Sequence, residues 1–217
     1  MVSRPLLRSL RINTVIDKSL VMITYISNSL HYKEVLSRVL HVKESLWIGT
    51  ADIKDLYIED GKTNNVSSKR GQKELVLSAE REKGRATLKP FLEVLAKLIK
   101  KGVAVRLIHA KEPGPNFRED FDRFPILYDG LERVLCPRVH FKMMVFDGKE
   151  AYIGSANLTG AGIGMKADGT RNFEAGILTD DSEIVEQAMN QFDEVWIGKH
   201  CKTCKRKDFC PDPILVK

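Results

Sequence analysis

Five side chains able to do chemistry fall between residues 140 and 157, in the stretch His140-Phe141-Lys142-Met143-Met144-Val145-Phe146-Asp147-Gly148-Lys149-Glu150-Ala151-Tyr152-Ile153-Gly154-Ser155-Ala156-Asn157. An imidazole titrates near ~6.5 and can act as nucleophile, base or acid close to neutrality. The ammonium of Lys142 can neutralise an anion, the hydroxyl of Ser155 and the amide of Asn157 can donate hydrogen bonds to it, and Asp147 adds a carboxylate. The stretch reads as two apolar strands joined at Asp-Gly, a strong hairpin signal. Side chains alternate along a strand, so His140 and Lys142 share one face while Phe141, Met143 and Val145 take the other. A two-residue Gly148-Lys149 loop would set His140 opposite Asn157 and Lys142 opposite Ser155. Moving the loop back one residue would set His140 opposite Ser155. In either register the four polar groups are cross-strand neighbours.

The spacing His-x-Lys-x4-Asp followed by Gly-Ser-x-Asn resembles the HKD signature of the phospholipase D superfamily, with His140, Lys142 and Asp147 in the motif and Gly154, Ser155 and Asn157 in its downstream half. The resemblance implies an α/β fold, a phospholipase D-like mixed β-sheet flanked by helices. It also implies phosphodiester hydrolysis through a covalent phosphohistidine, with no divalent metal or other cofactor needed for catalysis. Such cleavage needs a neutral nucleophile, cations and donors around the phosphoryl oxygens, and an acid for the leaving alkoxide. A carboxylate must also hold the far ring nitrogen so that the attacking one keeps its lone pair. Glu174 and Asp147 are the candidates. Asp147 lies at the hairpin end, so Glu174, in an Asn-x-Glu common in the family, is assigned the orienting role and Asp147 a supporting one.

That chemistry uses two histidines, and this chain has one motif. His31, His41, His109 and His200 lack the Lys and Asp context of a second copy. His31 and His41 read as surface or core-edge residues, His109 as structural. Short family members solve the problem as homodimers, so a twofold contact is expected to bring two His140 rings together.

Around the hairpin, the 217 residues (43% hydrophobic) suffice for one substantial core. Helical periodicity predicts a helix over 13–44, with Ile16, Leu20, Ile23, Ile26, Leu30, Leu36 and Leu40 on its apolar face. A buried strand is expected at Leu46–Ala51, and a turn-rich, charged, mobile excursion over 54–85. A helix is expected over 87–101, with Pro90 in its first turn and Gly102 past its end. A strand at Val103–Ile108 then makes the order strand–helix–strand, which predicts a parallel pair. Asn116 is expected to cap a short helix through Phe124. After Asn157, the glycine-rich run Leu158–Gly164 offers backbone N–H groups to phosphate oxygens, and Thr159 within it, with Gly154 of the motif's downstream half, is expected to contact substrate. Residues 165–171 read as an exposed loop, 172–178 as a strand and 182–197 as an amphipathic helix. The organisation predicted is a single catalytic domain over 1–198 and a cysteine-bearing tail over 199–217.

In that tail, Cys201-Lys-Thr-Cys204 forms a Cys-x2-Cys knuckle and Cys210 adds a third thiolate. With Cys136 or His200 as fourth ligand it can hold a tetrahedral zinc, and four cysteines are also compatible with an iron–sulfur cluster. Free thiols or a labile disulfide are the bland alternatives. The net charge of +6 favours a polyanionic partner, and Lys202, Lys205 and Arg206 make the tail a basic patch for phosphate contacts. Nucleic acid, DNA or RNA, is thus the expected substrate and an endonuclease the expected activity. The alternatives are a lipid phosphodiesterase and a nucleic-acid-binding module with little hydrolysis. With no long apolar segment and no signal-peptide pattern, a soluble cytoplasmic protein is expected.

Overall fold

In the computed structural model the residues described are 21–59, 88–211 and 213–214. The predicted helix start at 13–20 and most of the excursion, residues 60–85, lie outside them.

The hairpin sits at the middle of a seven-stranded mixed sheet. Its first arm, β7 (Lys142–Phe146), pairs antiparallel with its second, β8 (Glu150–Gly154), and on the other side with β2 (Ser45–Thr50). Parallel to β2 run β5 (Ala104–His109) and β6 (Leu131–Leu135). Antiparallel to β8 is β9 (Ala175–Thr179), which carries the edge strand β1 (Ile23–Ser27). The order is β1-β9-β8-β7-β2-β5-β6. β3 (Tyr57–Glu59) and β4 (Leu88–Pro90) form a separate antiparallel pair.

All five residues of β7 are buried, because both faces of the sheet are covered. Met144 and Phe146 pack into one core with α1 (Phe91–Lys100) and the turns at His31–His41. Met143 and Val145 pack into a second core with Val185, Ala188 and Phe192 of α4 (Ser182–Trp196). Asp181 caps α4, its carboxylate accepting from the N–H groups of Glu183 and Ile184. Two short helices, α2 (Pro115–Asp122) and α3 (Ile126–Gly130), connect β5 to β6.

Three local expectations are corrected. The predicted 13–44 helix is, over its described part, the strand β1 followed by one π turn and one 3-10 turn. Alternating Ile23 and Tyr25 stand on the outer face of that edge strand, and β pairing with β9 overrides the helical spacing. The first turn of the predicted 87–101 helix is strand β4, and α1 starts after Pro90, which has no N–H to give. The helix placed at Asn116 begins at Pro115 after Gly114.

Candidate active site

The hairpin turn decides which groups meet. Asp147 and Gly148 both take positive φ, 54° and 63°, and the loop holds three residues, so Phe146 faces Glu150 and Lys142 faces Gly154. This register lies between the two expected ones and overturns both. Ser155 and Asn157 therefore reach the site from the segment past the end of β8.

Lys142 is the centre. Among the described residues it is the one buried lysine, 6% exposed, on a strand whose other side chains are apolar. Its Nζ donates to the carbonyl of His140 at 2.8 Å and lies 3.3 and 3.4 Å from that residue's Nδ1 and Nε2. Being nearly equidistant from both ring nitrogens, the ammonium lies against the ring and in line with neither lone pair. No carboxylate among the described residues makes an ion pair with it. Burial pushes its pKa down, and the charge of Glu174 partly offsets this. His140 itself is exposed, just before β7.

Glu174 precedes β9. One carboxylate oxygen accepts from Ser155 Oγ at 2.5 Å and the other from Asn172 Nδ2 at 3.0 Å. Its backbone N–H reaches the side chain of Asn28. The expected bond from Glu174 to His140 is absent among the described residues. Glu174 instead orders Ser155, whose single proton is thereby directed to the carboxylate and away from a substrate.

Asn157 is held by the far end of β2. Its Oδ1 accepts from the N–H of Asp52 at 3.1 Å and lies 3.4 Å from the hydroxyl of Thr50. An N–H donor at Oδ1 fixes the orientation of the amide and leaves its two N–H donors without a partner among the described residues. Thr50, fully buried, also accepts from the N–H of Leu158. The glycine-rich turn packs behind Asn157. A Cβ on Gly162 would lie 2.5 Å from the Asn157 carbonyl, and Thr159 caps the turn through the N–H of Gly162. Gly154 is required by packing, since a Cβ there would meet the Tyr152 hydroxyl at 2.3 Å and the Ala175 carbonyl at 2.7 Å.

Asp147 lies at the opposite end of the hairpin. Its carboxylate accepts from the backbone N–H groups of Lys43, Glu44 and Ser45 at 2.7–3.1 Å, tying the turn to the start of β2. Burial raises its pKa, but those three N–H groups and Lys149 outweigh it, and the net shift is downward.

His31 is a residue the sequence reading misplaced. It is fully buried, edge-on to Tyr152 at 5.4 Å, with Nδ1 2.9 Å from the Asn28 carbonyl. That contact makes Nδ1 the protonated nitrogen and leaves Nε2 buried without a partner. Desolvation lowers its pKa, opposed by the Asn28 carbonyl and by Glu174, whose field also reaches Lys142. Nothing in the local sequence marks it, because its neighbours come from residues 152 and 174. His109 is buried and bonded to the Lys111 carbonyl, as a structural histidine should be.

Cys136, Cys201, Cys204 and Cys210, all unpaired and half-buried, line one cavity beside the segment leading into His140, with Arg138, Arg206 and Lys207 on its wall. Lys202 and Lys205 are exposed on the tail.

A buried lysine thus lies against an exposed histidine, with Asn157 fixed at the end of the sheet. The family model described as "Cardiolipin synthase, PLD-like domain" matches residues 83–196, just over half of the chain. The chain belongs to the phospholipase D superfamily. Among solved structures it is similar to Nuc from Salmonella typhimurium, a phospholipase D family member (TM-score 0.53, 14% identity, covering 81% of this chain and 94% of that one). It is also similar to NucT from Helicobacter pylori (0.50, 12%, 80% and 94%) and to the phosphatidylserine synthase of Haemophilus influenzae (0.50, 14%, 83% and 39%). These likenesses bear out the mixed-sheet fold. No curated protein matches the sequence. No described helix is long and apolar enough to cross a membrane.

Proposed function

We propose that this protein is a phosphodiesterase that cleaves nucleic acid, an endonuclease working without a catalytic metal. The observation that carries the reading is the buried, carboxylate-free ammonium of Lys142 set against the exposed ring of His140. A buried cation costs stability unless an anion completes it, and a phosphoryl group brought to His140 would do so. His140 attacks phosphorus, and the bond to the leaving alkoxide breaks. Lys142 and the two free N–H donors of Asn157 take up the charge on the phosphoryl oxygens. Water then hydrolyses the phosphohistidine. Ser155 and Glu174 act as a hydrogen-bonded pair that fixes the wall of the site.

The acid for the leaving group is the His140 of a second copy of this chain. Exposed apolar side chains support such pairing: Phe173, next to Glu174, is 93% exposed, and Ile23 and Tyr25 stand out from the edge strand. The expected mass in solution is twice 24.6 kDa, and a monomer with full turnover would end the dimeric reading. The same apolar residues favour a second reading, a lipid phosphodiesterase. The net charge of +6 and the basic tail argue for a polyanion. The deciding assay offers single-stranded DNA, RNA and phosphatidylcholine vesicles to protein depleted of magnesium and calcium. Nucleic-acid cleavage without lipid turnover is the expected result, and turnover of the vesicles alone overturns it.

Lys142→Met separates the site from the core. Folding depresses the pKa of this lysine, so its charged form is disfavoured in the native state and the charge costs stability at neutral pH. Methionine fills a similar volume without that cost. The variant should melt at or above the parent temperature while cleavage falls by about 10²–10³-fold. A drop in both would mean that Lys142 serves the fold.

A further inference from the structure

We propose that Cys136, Cys201, Cys204 and Cys210 bind one structural zinc ion that clips the C-terminal tail to the segment leading into His140. The proposal is independent of the reaction assigned above. Between Lys199 and Pro211 no side chain is buried, and Phe209 points to solvent, so apolar burial does not fix this segment. The only residues there that are even half-buried are Cys201, Cys204 and Cys210. All three line a cavity of about 250 Å³ that is also lined by Cys136, brought in by the turn between β6 and β7. Four thiols from two distant parts of the sequence thus line one cavity, and no other side chain between Lys199 and Pro211 is even half-buried.

The local backbone is that of a ligand knuckle. The N–H of Cys204 donates to the Cys201 carbonyl at 3.2 Å, closing the Cys-x2-Cys turn, and the N–H of Arg206 donates to Cys204 Sγ at 3.4 Å. Such N–H···S bonds orient a metal thiolate. The 3-10 turn Lys207–Phe209 then presents Cys210 to the cavity. Arg138, Arg206 and Lys207 line the same wall, and their charge would balance the net negative charge of a zinc with four thiolates. Among the described residues no three ligand-type side chains stand close enough to hold an ion as they are. Uptake must therefore draw the thiols toward a tetrahedron with Zn–S near ~2.3 Å, and the cavity is the space they would close. Each cysteine gives up one proton on binding, with no change of oxidation state.

The test uses the intact chain grown with supplemental zinc and purified without chelators. Elemental analysis should find about one zinc per chain, released when the thiols are titrated with a mercurial. Cobalt(II) exchanged into the wild-type protein should show thiolate charge-transfer and strong tetrahedral d–d bands, a readout that needs no variant to fold. Cys204→Ser and Cys136→Ser should each cut bound zinc at least tenfold, while Lys202→Ala leaves it unchanged. Less than about a tenth of a zinc per wild-type chain, a cobalt spectrum without thiolate bands, an iron–sulfur chromophore, or a Cys201–Cys204 disulfide in the purified protein would each overturn the proposal. Loss of zinc from Cys204→Ser but not from Cys136→Ser would also overturn the clip.

Discussion

His140→Ala should lower phosphodiester cleavage by at least ~10⁴-fold and leave both the fold and nucleic-acid binding in place. The size follows from the role, because removing a nucleophile leaves only the contribution of binding and charge stabilisation. The selectivity follows from position. The ring is exposed and contributes to neither core. Lys142 keeps its 2.8 Å bond to the backbone carbonyl of residue 140, which alanine retains. The site's charge should therefore persist, and binding to a labelled oligonucleotide should stay within about twofold. Single-turnover cleavage beside a binding titration measures both. Mixing the variant with wild-type chains under exchange conditions adds a sharper readout, since a shared site needs both rings and mixed dimers should be inactive. More than about 1% residual turnover in the pure variant would remove His140 from the reaction.

How much of this could be read from the sequence depends on the range over which each feature is set. The site strand was legible from the apolar run that carries Lys142, although His140 falls just before the strand and meets Lys142 through its carbonyl and ring. The turn between Cys201 and Cys204 was legible because its spacing is local. The hairpin register was not, since it turns on Asp147 and Gly148 both adopting positive φ and so lengthening the loop to three residues. β1 was hidden by apolar spacing that also fits a helix. Its strand state comes from pairing with β9, more than a hundred residues away. The same range limit explains Glu174. Its bond from Ser155 is evident only once β8 and β9 are side by side, whereas its other partner, Asn172, is two residues away in the chain. His31 gave no signal because the ring it packs against, Tyr152, lies more than a hundred residues away.

Asp147 is where this difference can be measured. The sequence motif groups it with His140 and Lys142, whereas its carboxylate is spent on three backbone N–H groups at the start of β2. Hydrogen bonds to a charged acceptor contribute more than neutral ones, and at a half-exposed site Asp147→Ala should cost about 2–3 kcal/mol in total. Asp147→Asn keeps an acceptor oxygen and tolerates the positive φ, so it should cost about half as much. The pH dependence follows from the downward shift of the folded pKa. The unfolded carboxyl titrates near ~3.9, so the carboxylate's contribution is complete above that pH. It is lost as pH falls through the lower folded value. The stability gap between wild type and Asp147→Asn, from urea denaturation, should be constant from pH 7 to about 5 and close on further acidification. Because the Asp147 carboxylate is bonded at the far end of the hairpin from His140, the folded fraction of either variant should keep cleavage within a few-fold of wild type. A gap that ignores pH would remove the carboxylate from the fold. A loss of turnover as deep as that of His140→Ala in fully folded protein would return Asp147 to the reaction.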